Sequence, residues 1–243
     1  SLIQEQNAFP GVTNKRLAAR ATTICLGSQA AQKFFPNTKT VVTGNPVREA
    51  LQQPLSKIEG CARLRVSPEK FTLLVLGGSL GARKMNQLIS AHLDDIRSYD
   101  VQVIWQCGNL YISDYQHLSN DNVSVVSFID DMSAAYAAAD LVVSRAGALA
   151  ISELCLLGKP TLFIPSPNVA ENHQEKNAQA LVDKLAAKMV VERNADTTFW
   201  NTLKELIANE TLRHSLSKNI KFFAHPKATK EIVERIKKII SHG

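Results

Sequence analysis

The sequence predicts an α/β fold in which a parallel sheet carries helices on both faces. Three observations lead there: short, nearly continuous apolar runs of strand length recur through residues 71–164, helical patterns separate most of them, and a glycine-rich turn follows the first. Strands buried on both faces read as unbroken apolar runs, because each face packs on its own helix layer. Right-handed crossovers then gather the loops after the strands along one edge of the sheet, where ligands of such folds sit.

In chain order, Pro10-Gly11 opens a turn, residues 13–21 form a helix candidate, and residues 23–26 and 40–42 are strand candidates. Two strands and one helix cannot bury their own apolar faces. Residues 1–46 are therefore expected to be the end of an upstream domain; the competing reading has them extend the main sheet. Residues 47–70, with Pro54, Gly60 and Pro68, read as a connector holding a helical turn or two. A complete domain is expected over residues 71–220. Its strands are 73–76, 101–105, 123–126, 141–143 and 161–164. Its helices include one carrying Leu88, Ile89 and Leu93, and others at 111–118, 132–139, 148–157 and 174–185. In residues 221–243, Ile232, Val233, Ile236, Ile239 and Ile240 form one stripe of a helix, which must bury itself against another surface.

Of the 243 residues, 45% are hydrophobic and 21% charged, the composition of an ordered globular chain. No apolar run approaches the roughly 18 residues of a membrane span, and Ser1-Leu2-Ile3-Gln4 opens without a secretory pattern. Cys25, Cys61, Cys107 and Cys155 form no CxxC pair, so they read as small apolar filler in a reducing compartment, and no metal site is expected. The formal charge is +6, much of it from Lys221, Lys227, Lys230, Arg235, Lys237 and Lys238 near the end of the chain. Without interleaved aromatics that stretch is a poor nucleic-acid signature. It reads as a solvated helix face, or as a surface facing anionic lipid or an anionic substrate.

Three loops carry residues suited to a ligand. Gly77-Gly78-Ser79-Leu80-Gly81 follows a strand and precedes a helix, so its backbone can approach a phosphate and Ser79 can donate a hydroxyl. It has neither the Walker nor the dinucleotide glycine spacing, and packing alone is the plain alternative. Ser144-Arg145-Ala146-Gly147-Ala148 opens a helix carrying Glu153, a carboxylate able to accept both hydroxyls of a ribose or simply to complement the helix dipole. Residues 165–177 lead through a polar loop to His173, Gln174 and Asn177, of which the imidazole and amides both donate and accept. Arg48, just before the main unit, suits a diphosphate or a salt bridge. Asp130 or Asp131 can cap the helix after Phe128, while the Ile129 backbone and Met132 can border a flat base. No nucleophile–base arrangement stands out. Together these groups fit a nucleotide or nucleotide-sugar half-site.

Six strings run in one family's order. They are Glu5-Gln6-Asn7 with Pro10-Gly11; Gly44-Asn45-Pro46-Val47-Arg48; Gly77-Gly78-Ser79 with Gly81-Ala82-Arg83; Phe128-Ile129-Asp130-Asp131-Met132; Arg145-Ala146-Gly147-Ala148-Leu149 with Ser152-Glu153; and His173-Gln174 with Lys176-Asn177-Ala178. The chain resembles the bacterial peptidoglycan N-acetylglucosaminyltransferases of glycosyltransferase family 28. The resemblance covers most of the chain from Glu5 to about Lys184. It implies a GT-B type fold with a complete C-terminal Rossmann-like domain, preceded by the end of an N-terminal one that takes the acceptor. Residues 221–243 would be a basic helix packing back towards that N-terminal domain.

It further implies inverting transfer from UDP-GlcNAc to undecaprenyl-pyrophosphoryl-MurNAc-pentapeptide, without a cofactor or metal, at the cytoplasmic face of the cell membrane. Substrate-binding positions carried over are Asn7, Arg48, Gly78, Ser79, Ile129, Met132, Ala148, Leu149, Glu153, Gln174 and Asn177. Glu153 would hold the ribose, the Ile129 backbone the uracil, and Arg48 and Ser79 the diphosphate. Gln174 and Asn177 would read the GlcNAc hydroxyls. The catalytic base is expected in sequence before Glu5, so this chain alone is expected to transfer little. Gln4, Leu80 and Ala150 depart from the family's frequent His, Gln and Thr. Another UDP-sugar enzyme of the same fold, such as an epimerase, and a non-catalytic UDP-sugar module are the alternative readings.

Overall fold

A computed structural model of the chain describes residues 1–78, 80–167 and 172–241. Its first sheet is parallel, with β1 (Leu2–Glu5), β2 (Thr23–Leu26) and β3 (Thr40–Val42) in that order, and helix α1 (Val12–Leu17) between the first two strands. Residues 1–46 thus make a sheet of their own and do not extend the larger one. Ile24 and Leu26 of β2 pack on Ala18, Ala31 and Phe35, a small core supported by few elements.

The second sheet is also parallel: β4 (Phe71–Leu76), β5 (Val101–Gln106), β6 (Val123–Val126), β7 (Leu141–Ser144), β8 (Thr161–Phe163) and β9 (Lys188–Met189) lie in the order β6-β5-β4-β7-β8-β9. Alternation along β4 shows why both faces need cover. Leu73 and Val75 point into one core with Trp105, Phe199 and Leu203, while Leu74 and Leu76 point into the other with Ile104, Tyr136, Leu154 and Phe163. Each of these large buried side chains contributes roughly 1.5–3 kcal/mol. The first face is covered by α3 (Arg83–Ala91), α4 (Leu93–Arg97) and α9 (Ala195–Ala208). The second is covered by α6 (Met132–Ala138), α7 (Ala148–Leu157) and α8 (His173–Val182).

The connector at 47–70 is more regular than its composition suggests. Helix α2 (Lys57–Leu64) starts with a capping box, in which Ser56 Oγ accepts from the Glu59 N–H and Glu59 Oε2 accepts from the Ser56 N–H, and it ends at Arg65 in the left-handed region. Helix α2 packs on α6, with Gly60 where a Cβ would lie 2.7 Å from the Ala134 carbonyl oxygen, so it belongs to the helix layer of the second sheet. The helix expected over 111–118 shrinks to α5 (Ile112–Tyr115) and a 3-10 turn.

After α10 (Glu210–Ile220), the chain returns to the first sheet. His225 occupies the space over Gly44, whose φ of 78° already favours glycine. Glu231 and Arg235 of the last helix, α11 (Ala228–Ser241), reach the neighbourhood of Cys25 on β2. The isoleucine stripe is only partly buried. Ile232 is covered and Ile239 half-buried, whereas Val233, Ile236 and Ile240 remain exposed.

Candidate functional site

Numbered within the larger sheet, its strand order is 3-2-1-4-5-6, and the direction of winding reverses between β4 and β7. Loops leaving these two strands therefore open a crevice above the sheet's carboxyl edge. The loop after β4 is held by hydrogen bonds behind it. The Gly77 N–H donates to the Gln106 carbonyl at 3.1 Å, while Asn86 of α3 donates to the Cys107 carbonyl at 2.9 Å and accepts from Trp105 Nε1 at 3.0 Å. Its glycines divide by role. Gly81 lies where a side chain would strike the Cys107 carbonyl and Tyr111, so it serves packing. Gly78, at φ 83°, has open space beside it. Ser79 lies outside the described residues.

The loop after β7 leads to Gly147, which caps α7 without a side chain and has nothing near the place of a Cβ. The first intrahelical bond is Ile151 N–H to the Gly147 carbonyl at 3.0 Å, so the preceding N–H groups of α7 are the helix's unpaired donors. Glu153 lies one turn further on and is buried among Leu154 and Cys155. Arg48 Nε stands 3.4 Å from Glu153 Oε1, and the Tyr136 hydroxyl donates to Glu153 Oε2 at 3.0 Å. The Arg48 side chain is 55% exposed against 9% for Glu153, so solvent screens the pair, which contributes about 1 kcal/mol at most. Burial, then the neighbouring Glu153 charge, pushes the Tyr136 phenol well above its ordinary range, so it stays a donor.

The third group closes the site from the other sheet. Asn177 Oδ1 accepts from the Ala8 N–H at 2.8 Å, and its Nδ2 donates to Asn7 Oδ1 at 3.0 Å and to the Ala146 carbonyl at 3.3 Å. Gln174 Oε1 accepts from the N–H groups of Ala146 and Ser166 at 3.2 and 2.9 Å. His173 Nδ1 meets the Phe9 carbonyl at 3.0 Å. The Glu5 carboxylate gathers the N–H groups of Asn7 and Gly11 and the Asn14 amide, which fixes the loop that carries Asn7. Asn7, Gln174 and Asn177 thus gather at the turn between β7 and α7, while Arg48 and Glu153 pair one turn further along α7.

Other expected positions divide. Leu149 is 47% exposed and shares a helix face with Glu153. Ile129 is buried with its N–H donated to Gln106 Oε1 at 3.0 Å, which leaves its carbonyl as the group to offer a base. Met132 packs against the second core. Asp131, rather than Asp130, caps α6, accepting from the Ala134 N–H at 2.9 Å. Ala148 lines a cavity of about 820 Å³ between the sheets, together with Asn45, Ser152 and Asn177. That cavity adjoins the 148/152/155 face of α7, while Arg48 and Glu153 are not among its lining.

Sequence reasoning missed Tyr136, Asn45 and Gln106. Tyr136 was signalled only as the one aromatic in an alanine-rich helix. Asn45, within the Gly-Asn-Pro string, bridges the Gln6 carbonyl and Ser152 Oγ at 3.0 and 3.1 Å.

Residues 72–236 match the glycosyltransferase family 28 C-terminal domain. The chain belongs to glycosyltransferase family 28. Among its curated relatives in the family, the UDP-N-acetylglucosamine--N-acetylmuramyl-(pentapeptide) pyrophosphoryl-undecaprenol N-acetylglucosamine transferase of Flavobacterium psychrophilum is 48% identical, over 99% of this chain and 66% of that protein. The enzyme of the same name from Parabacteroides distasonis is 50% identical, over 99% and 67%. The chain therefore spans about two thirds of the length of these relatives. Among solved structures, Acinetobacter baumannii MurG superposes with a TM-score of 0.76 at 30% identity, covering 98% of this chain and 66% of that one. The fold is accordingly the GT-B type α/β fold of family 28. The family-matched region holds Gly78, Glu153, Gln174 and Asn177, whereas Asn7 and Arg48 precede it.

Proposed function

We propose that this chain carries the donor-binding half of an enzyme that transfers N-acetylglucosamine from UDP-GlcNAc to undecaprenyl-pyrophosphoryl-MurNAc-pentapeptide, with inversion at the sugar. The observation that carries this reading is the meeting of Arg48 and Glu153 one turn into α7, a helix that starts without a side-chain cap where the sheet's winding reverses. A nucleoside diphosphate is complementary to this arrangement. Its ribose hydroxyls suit the Glu153 carboxylate, its uracil the Ile129 carbonyl, and its diphosphate the Arg48 guanidinium with the N–H groups of α7 and of the loop at Gly78. Asn7, Gln174 and Asn177, gathered at Ala146 of the β7–α7 turn, are assigned to the sugar that follows the diphosphate.

Chemically, the acceptor hydroxyl attacks the anomeric carbon from the face opposite the leaving group, and the anomeric C–O bond to UDP breaks. Negative charge then grows on the diphosphate. The helix-end N–H groups, already in place, and Arg48, once turned from Glu153 to the diphosphate, stabilise that charge. The acceptor hydroxyl's proton passes to a general base, a role assigned to no residue of this chain. The basic stretch 221–243 is assigned to peripheral contact with an anionic membrane at its cytoplasmic face. Co-sedimentation with phosphatidylglycerol vesicles at low salt tests that contact.

Titrating the protein with UDP-GlcNAc, UDP-glucose and UDP tests the donor reading. UDP-GlcNAc is expected to bind more tightly than UDP-glucose, and Asn177→Ala to narrow that preference while retaining UDP. Equal affinity for the two sugars in the unaltered protein would remove the GlcNAc assignment.

A further inference from the structure

Glu153 has both carboxylate oxygens occupied, and the two partners differ in kind. Arg48 approaches Oε1 at 3.4 Å from a flexible, half-exposed side chain. Tyr136 donates to Oε2 at 3.0 Å from a ring that is almost wholly buried in the core between β4 and α7. The ring lies in a core cluster with Leu74, Ile104, Leu154 and Phe163, whose close packing leaves it little freedom. The α2 helix supports α6 from behind through Gly60.

We propose that Tyr136 is a positioning residue, whose buried hydroxyl fixes the Glu153 carboxylate in the orientation that meets both hydroxyls of a nucleotide ribose. This rests on the uridine-diphosphate reading of the site. A carboxylate offers about four acceptor positions. Tyr136 takes one on Oε2 and leaves another there. Oε1 becomes available when Arg48 turns from Glu153 towards a diphosphate. Two adjacent ribose hydroxyls require both oxygens to be presented at once. A glutamate with no fixed partner would follow the mobile guanidinium and present one. The Tyr136 hydroxyl holds the plane of the carboxylate while Arg48 moves, so the ribose meets an acceptor that is already oriented.

Calorimetric titration of the protein and of Tyr136→Phe with UDP and with 2′-deoxy-UDP tests the proposal, with thermal unfolding of both proteins measured alongside. In the unaltered protein, loss of the 2′-hydroxyl is expected to weaken binding about tenfold or more, the range for a hydrogen bond to a charged acceptor. In Tyr136→Phe that ratio is expected to fall to about threefold or less, because the ring remains and only the orienting hydroxyl is gone. Tyr136→Leu gives the same ratio on a second background if the Phe variant is poorly folded.

A variant that weakens both ligands equally, keeping the ratio, overturns the positioning role and makes Tyr136 a packing residue. In that outcome the site assignment stands. If the unaltered protein fails to bind UDP at all, the site assignment falls and the positioning role falls with it.

Discussion

At Glu153 a single carboxylate meets an exposed cation and a buried phenol, and on the proposed reading a nucleotide's gain there depends on opening the first contact and keeping the second. Arg48→Met separates these parts. UDP is expected to lose about tenfold in affinity, since a charge-assisted contact to phosphate is gone. Uridine, which lacks the diphosphate, is expected to bind as well or slightly better, because no ion pair has to be opened. Titration with both ligands checks this, and an equal loss for both would place Arg48 away from the phosphates. Arg48 and Glu153 were each legible in the sequence, one as a fork at a domain boundary and the other as a carboxylate in an apolar helix. Their pairing was not legible, because it is created by the fold of everything between them. Tyr136 escaped notice because an aromatic among alanines reads as core, which it also is. For Ile129 the sequence pointed to the backbone, and only the structure shows that Gln106 has taken its N–H.

Among the elements, those with long apolar patterns were read well and those whose signal is tertiary were not. Strands β1 and β9 were missed because they are short and only partly buried, and gain their identity from the strands beside them. The connector concealed α2, whose evidence was local: Ser56 and Glu59 at capping-box spacing. A further consequence of packing appears at the junction of α7 and β8. There Lys159 donates to the Ala139 carbonyl at 2.8 Å, close to the Lys57–Asp140 pair. Burial pushes its ammonium down to about 8 from an ordinary value of 10.5, with Lys57 and Lys221 adding to the effect and Asp140 opposing it.

The sign follows from linkage. Between pH 8 and 10.5 the unfolded chain holds this proton more tightly than the folded one, so this residue's contribution to stability rises with pH across that window. Below pH 8 the folded protein bears the full cost of a buried ammonium, on the order of 3 kcal/mol. Lys159→Met removes that titration. Denaturant unfolding of both proteins from pH 7 to 10.5 is expected to show the variant's relative stability declining as pH rises. A difference that stays flat would mean that the amine is solvated in the folded state.

Taken whole, the molecule is two parallel sheets joined by two crossings of the chain, one at residues 44–48 and the other through His225, which packs over Gly44. The site lies against this joint. Arg48 comes from the first crossing, Asn7 from the loop after β1, and Glu153 and Asn177 from the larger unit. Parallel order and one-edged loops were foreseeable from periodicity and crossover handedness. How the first sheet would be set against Asn177 was not, since it depends on hydrogen bonds such as Ala8 N–H to Asn177 Oδ1 that have no periodic signature. On the proposed reading a uridine diphosphate is held at the start of α7 through Glu153. Calorimetric titration of UDP into the unaltered protein and into Glu153→Ala tests it most directly. The expected result is a saturable site in the first and an affinity lower by about 2 kcal/mol, roughly thirtyfold, in the second, for the lost hydrogen bonds to a charged acceptor. Equal affinities in the two proteins would contradict this and leave Glu153 as a structural partner of Tyr136 and Arg48.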